Sequence, residues 1–188
     1  KSAVIENVFS LGEVTGNTVA ACIGGTTAKD NAKNVFATKE YDIIEGQTTV
    51  TDSLMASGEV AYLLGEAFGQ QIGTDLHPVF GGASVYKVTY TTSLSEEVDS
   101  LYTNDTLPQL DDMSDPICVW KSSPDGEELT EVTTDSTLFV EYRYIITFLV
   151  DGVAIKADTL AYGRDISLPE EPVKEGHTFS GWSEVPAT

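Results

Sequence analysis

The chain has 188 residues, and its 41% apolar and 9% aromatic content is normal for a folded protein, so disorder is not its default state. That length suits one large domain or two to three small modules. Lysine plus arginine is 10 and aspartate plus glutamate is 30, a formal net charge of −20 that repels DNA, RNA and anionic lipid and so argues against a nucleic-acid partner.

Taken in chain order, residues 1–51 carry an internal echo. Asn7-Val8-Phe9-Ser10 recurs as Asn34-Val35-Phe36-Ala37, 27 positions on. Between the copies lie Gly12, Val14 and Gly16 at alternate positions, then Val19 to Ile23, then Gly24-Gly25. Glycines at turns with β-branched residues between them, repeated at this period, predict stacked coils. The stretch resembles the GLUG motif of surface solenoids, although Cys22-Ile23-Gly24 stands where that family has Gly-Leu-Val-Gly. A single coil cannot bury its own apolar face. The segment is therefore expected to be the last rungs or the cap of a longer array, with Val4, Val8, Phe9 and Val14 partly exposed.

Residues 52–84 are expected to be a helical connector. The pattern predicts one helix over 52–65, with Ser57 as its N-cap and Glu59 in a first turn that favours negative charge. Val60, Leu63 and Leu64 share a face, and Gly65 suits the C-terminal cap. The following Gly69 to Asp75 and Pro78-Val79-Phe80 complete a stretch similar to connectors that follow GLUG-type repeats, which implies a structural cap and no chemistry.

Two β modules are expected next, over 85–143 and 144–188. Val85 to Tyr90 alternates as a strand does, and Leu138-Phe139-Val140 reads as the last strand of the first module. The second opens on Ile145 to Val150, turning at Asp151-Gly152, a strong hairpin signal because glycine accepts φ > 0. Tyr102, Leu107-Pro108 and Trp120 recur in order as Tyr162, Leu168-Pro169 and Trp182. The order hairpin, Tyr162-Gly163, Pro172, then Gly176-His177-Thr178-Phe179-Ser180-Gly181-Trp182 resembles the Listeria–Bacteroides repeat, the small β-grasp-like module also called the internalin-type B repeat. That resemblance implies a secreted or surface-anchored bacterial protein in which the module spaces and presents other domains. The second copy is expected to be truncated, and the whole chain to be an internal piece of something longer. Leu168-Pro169-Glu170-Glu171 begins like a sortase signal but lacks its Thr-Gly.

Few residues invite chemistry. Trp120 and Trp182 are the candidates for ligand contact, because an exposed indole is a platform for sugar rings; their recurrence among Tyr, Pro and Phe favours core packing instead. Asp111, Asp112 and Asp115, with Asp125 and Glu127-Glu128, are the best calcium candidates, yet they lack the spacing of a twelve-residue calcium loop and read as a solvated acidic surface. The two cysteines, Cys22 and Cys118, sit among apolar neighbours and are expected to be buried free thiols. With His77 and His177 they have no zinc spacing. Nucleophile elbows, zinc-protease helices and phosphate loops are absent, and Asn104-Asp105-Thr106, formally a glycan acceptor, reads as a loop.

The expectation is a mainly β chain with a minor α part: a partial β-solenoid of GLUG type with a short helical connector, then two small β-grasp-like modules. Its role is expected to be non-catalytic, as a stalk, presenter or adhesion module of a bacterial surface or secreted protein, without cofactor or metal. Partners would be a host or matrix protein, a glycan, or neighbouring modules of the same chain. No apolar run approaches the roughly 18 residues of a membrane span, so membrane insertion is not expected. The alternative is a carbohydrate-binding module attached to a larger extracellular enzyme.

Overall fold

The computed structural model describes residues 4–12, 32–39, 47–110 and 117–183. These form a mainly β protein without a closed barrel. Its contacts divide it into two compact units: Lys1–Thr89 with Ser100–Leu107 and Glu131–Ser136, and Tyr90–Asp99 with Pro108–Thr130 and Thr137–Thr188.

The first unit opens on a three-stranded parallel sheet: β1 (Ile5–Ser10), β2 (Ala32–Ala37) and β3 (Gln47–Thr49), in that order. The echo seen in the sequence is its register, with Val8 beside Val35, Phe9 beside Phe36 and Ser10 beside Ala37. Phe36 and Thr48 pair in turn, so β3 forms a third level. Asn7 and Asn34 both sit in the left-handed region, at φ 57 and 50, a conformation asparagine tolerates better than most residues. Lys33 and Glu6 pair across the same two strands at 3.4 Å.

Two helices follow, α1 (Asp52–Ala56) and α2 (Glu59–Leu64), where the sequence predicted one. The break is Gly58, at φ +92. A Cβ there would meet Ile72 Cδ1 at 2.5 Å and Tyr102 Cβ at 3.2 Å. A side chain there would have to displace its neighbours, and at this positive φ glycine's freedom lets the chain turn between the helices. Thr51 caps α1, its Oγ1 accepting the Leu54 N–H at 3.1 Å. The Ser57 hydroxyl accepts the Glu59 N–H at 3.3 Å from one position before the cap, which is Gly58. The buried face of α2 is Val60, Ala61 and Leu64; Leu63, expected on it, is exposed. Phe36, Val50, Met55, Val60 and Leu64 make one core, with Phe9, Leu54 and Phe68 packed on it. The short strands β4 (Phe68–Gly69) and β5 (Val79–Phe80) pair antiparallel.

Most of the six-stranded sheet belongs to the second unit. Its strands are β6 (Tyr86–Thr92), β7 (Asp99–Thr103), β8 (Ile117–Lys121), β9 (Glu128–Leu129), β10 (Ser136–Val150) and β11 (Val153–Ala161). The order is β7-β6-β10-β8-β9, with β11 also on β10. Leu138-Phe139-Val140 and Ile145 to Val150, read from the sequence as strands of separate modules, are one continuous strand of 15 residues. Leu138, Val140, Tyr142 and Phe148 are its buried residues, at the even spacing that puts them on one face. The hairpin to β11 turns at Asp151 and Gly152, at φ 50 and 80, the twist that suits a two-residue hairpin loop.

Candidate functional site

Trp120 lies on β8, paired with Val140 of β10 and Leu129 of β9. It is 3% exposed. Its Nε1–H donates to the Pro108 carbonyl at 2.7 Å, so burial leaves no indole donor unpaired. The ring meets Tyr90 edge to face at 5.1 Å and 78°. The Tyr90 hydroxyl donates to Asp99 Oδ2 at 3.3 Å. Burial, then the Asp99 charge, push its ionisation up to about 12. Cys118, beside Tyr142 on β10, is buried and free. Burial raises its pKa, which keeps it a thiol at neutral pH and a poor nucleophile.

Trp182 is only half-buried. It packs edge to face on Phe148 at 5.1 Å and on Phe179 at 5.3 Å. Lys156 Nζ lies 5.8 Å from the Phe148 ring centre, within cation–π reach. The two tryptophans thus occupy matching places in the sequence but different surroundings. Strands flank Trp120 on both sides; among the described residues, no strand pairs with the segment that carries Trp182.

Several charged groups of the sheet pair with one another. Glu141 receives Lys121 Nζ at 3.2 Å and Arg143 Nη2 at 2.6 Å, and Arg143 also holds Glu128 at 2.7 Å. Burial alone would raise the Glu141 carboxyl, but hydrogen bonds from Arg143 and Lys121 overcome it and hold the group below its usual range. Of the calcium candidates, Asp111, Asp112 and Asp115 lie outside the described residues, as does Cys22. Asp125 and Glu127 are exposed, and Glu128 is engaged by Arg143. Among the described residues, no group of three or more His, Cys, Asp or Glu side chains is placed to hold a metal ion. His77 packs against Phe9 with centres 6.0 Å apart, and His177 Nδ1 lies 3.0 Å from the Glu175 carbonyl.

Asn104 is the polar residue whose role the sequence concealed. Its Nδ2 donates to the carbonyls of Gln70 and Ser84, each at 2.7 Å. Its Oδ1 accepts the Ile72 N–H at 2.8 Å and Gln71 Nε2 at 3.2 Å. Every hydrogen-bonding position of the amide is used, so Asn104 pins two loops of the first unit together. Asp135 acts similarly, accepting the Tyr62 hydroxyl at 2.6 Å and the Lys87 N–H at 2.9 Å. Asx residues in turns are the only local signal for either role, and they do not reveal a partner far along the chain.

Residues 144–187 match the family model described as Flg_new: Listeria-Bacteroides repeat domain (List_Bact_rpt). This repeat is typical of extracellular and surface-associated proteins. The match begins within β10 and takes in β11 and Trp182. No curated protein and no solved structure matches the chain significantly. Among the described residues, no helix is long and apolar enough to cross a membrane.

Proposed function

We propose that the chain is a non-catalytic part of a bacterial cell-surface or secreted protein, a stalk or presenter that positions other domains. The match of residues 144–187 to a surface-associated repeat carries this proposal. In it, β1 to β3 are rungs of a solenoid-like array of GLUG type, because parallel strands with a repeated motif in register are what coil stacking requires. Residues 85–143 and 144–188 are two diverged β-grasp-like copies. The continuous strand β10 supports a stalk, since it runs from the pairing with β8 to the pairing with β11 without a linker. The pairing of Glu141, Arg143 and Lys121 favours structural roles for these charges over catalysis. Partners in this role are a host or matrix protein, or adjoining modules.

A second role, carbohydrate binding beside a larger enzyme, is favoured by one observation: part of the Trp182 side chain is open to solvent. Two experiments separate the proposals. Brief proteolysis of intact cells should release peptides of this chain; their release only after lysis would defeat the surface assignment. A glycan array read by tryptophan emission should show no response. A sugar-dependent shift that Trp182→Ala abolishes would replace the presenter with the carbohydrate-binding module.

A further inference from the structure

An open pocket of about 570 Å³ lies within the second unit, a size common for small-ligand clefts, which run to about 300–1,000 Å³. It is bounded by the loop that follows β6, by Pro124 in the turn after β8, and by Phe139 of β10. Phe139 stands between the buried Leu138 and Val140, and Val140 pairs with Trp120, so Phe139 belongs to the face of the sheet opposite that indole. Phe139 is half-buried, Pro124 is exposed and Leu94 is 36% exposed. These three give the pocket an apolar side open to water.

Its polar side is selective about hydrogen. Thr92 Oγ1 accepts the Leu94 N–H at 3.2 Å and the Ser95 N–H at 3.1 Å, which uses both acceptor positions of that hydroxyl. Ser93 Oγ accepts the Tyr142 N–H at 3.1 Å, and Ser95 Oγ accepts the Glu97 N–H at 3.0 Å. The backbone thus engages each oxygen, while among the described residues none of the three O–H hydrogens is donated. Three donors remain for a ligand. Glu96 supplies the opposite kind of group, a carboxylate that only accepts. Among the described residues, no lysine or arginine lines the pocket.

A fitting ligand must accept from hydroxyls, donate to a carboxylate and turn an apolar side to Phe139. An anion only accepts, and both Glu96 and the net charge of −20 repel it. An ammonium or guanidinium group only donates, which leaves the three hydroxyl hydrogens without acceptors. An alcohol group does both. We propose that this pocket binds a neutral sugar, its hydroxyls shared among Thr92, Ser93, Ser95 and Glu96 and the C–H face of its ring against Phe139. Neither tryptophan lines the pocket, so the site goes beyond both the presenter role and the reading based on Trp182. A sugar held here leaves tryptophan emission unmoved, since Trp120 is enclosed on the other face of the sheet.

The test titrates the full chain with the methyl glycosides of glucose, galactose, mannose and N-acetylglucosamine, read by saturation-transfer NMR. Saturable binding of at least one, with a Kd of roughly millimolar order, is expected, and its ring C–H protons should receive the magnetisation. Glu96→Ala, on an exposed loop, removes the acceptor and should weaken binding about tenfold or more with the melting temperature unchanged. Phe139→Leu should weaken it similarly, and Trp182→Ala should leave it as it was. Four results would overturn the proposal: no saturation by any of the four glycosides, full affinity in both pocket variants, tighter capture of methylguanidinium or of a short uncharged peptide at the same residues, or loss of the sugar in Trp182→Ala alone. That last result would instead support the carbohydrate-binding module built on Trp182. Surface proteolysis of cells bears on none of these outcomes, so the presenter role and the pocket fail separately.

Discussion

Asn7 and Asn34, 27 positions apart, share a left-handed backbone and a single 2.9 Å hydrogen bond, Asn34 Nδ2 to Asn7 Oδ1. The repeated motif is thus a stacking device: each copy places an amide where it meets the other. Most L-residues resist that conformation, while asparagine accepts it and brings a donor and an acceptor on one short side chain.

Asn34→Ala should destabilise the first unit by about 2–3 kcal/mol, from the left-handed alanine and the lost hydrogen bond together. Asn34→Gly removes only the hydrogen bond and should lose roughly 1 kcal/mol. Urea unfolding followed by circular dichroism reads both. Equal losses in the two variants would show that backbone conformation is not part of the effect.

The enclosure of the two tryptophans predicts unequal costs. Trp120→Ala should cost about 3–5 kcal/mol, the range for a buried aromatic cut to alanine. Trp182→Ala, half-buried from the start, should cost clearly less, roughly 1–3 kcal/mol. Denaturant midpoints of the two variants decide it, and an equal or larger loss at Trp182 would contradict the structure.

Two groups predict how stability changes with pH, in opposite directions. Glu141 has a lowered folded pKa, so its contribution is present above the ordinary value of 4.5 and is lost as pH falls through the folded value. Glu141→Gln should flatten the acid side of the stability profile. Tyr90 is raised from 10.0 to about 12, so its contribution is whole below 10 and is lost as pH rises toward 12. Tyr90→Phe should flatten the alkaline side. Melting temperatures across both ranges test this; a wild-type acid slope in Glu141→Gln would remove the ion network as its cause.

Asn104→Ala strands the carbonyls of Gln70 and Ser84 and the Ile72 N–H. It should cost about 1–3 kcal/mol, since the Gln70 carbonyl and the Ile72 N–H are partly buried and only partly regain water. Hydrogen exchange should show the Ile72 amide losing protection. Because both Nδ2 hydrogens are donated in the folded chain, passage of the folded protein through a glycosylating extract should leave its mass unchanged.

The legible parts of this protein are those written within a few neighbouring residues. Asp151-Gly152 specifies its hairpin because two adjacent residues with positive φ suffice to set it. The Asn-Val-Phe echo specifies a parallel register because matching side chains must lie level for two strands to stack. Other features depend on atoms brought from elsewhere in the chain. The expected helix over 52–65 breaks at Gly58, whose φ of +92 turns the chain, and the residues that close around it, Ile72, Tyr102 and Val85, come from elsewhere in the chain. The same distance conceals Asn104, whose partners are up to 34 positions away.

Local residue order therefore sufficed for the repeat, the hairpin and the preference for strands, since conformational preference and spacing act over one or two turns of chain. Burial did not follow from it: Trp120 and Trp182 share a pattern of neighbours, yet one is enclosed and the other half open. How much of a side chain meets water is set by which distant segments close over it, and that is a property of the assembled core alone.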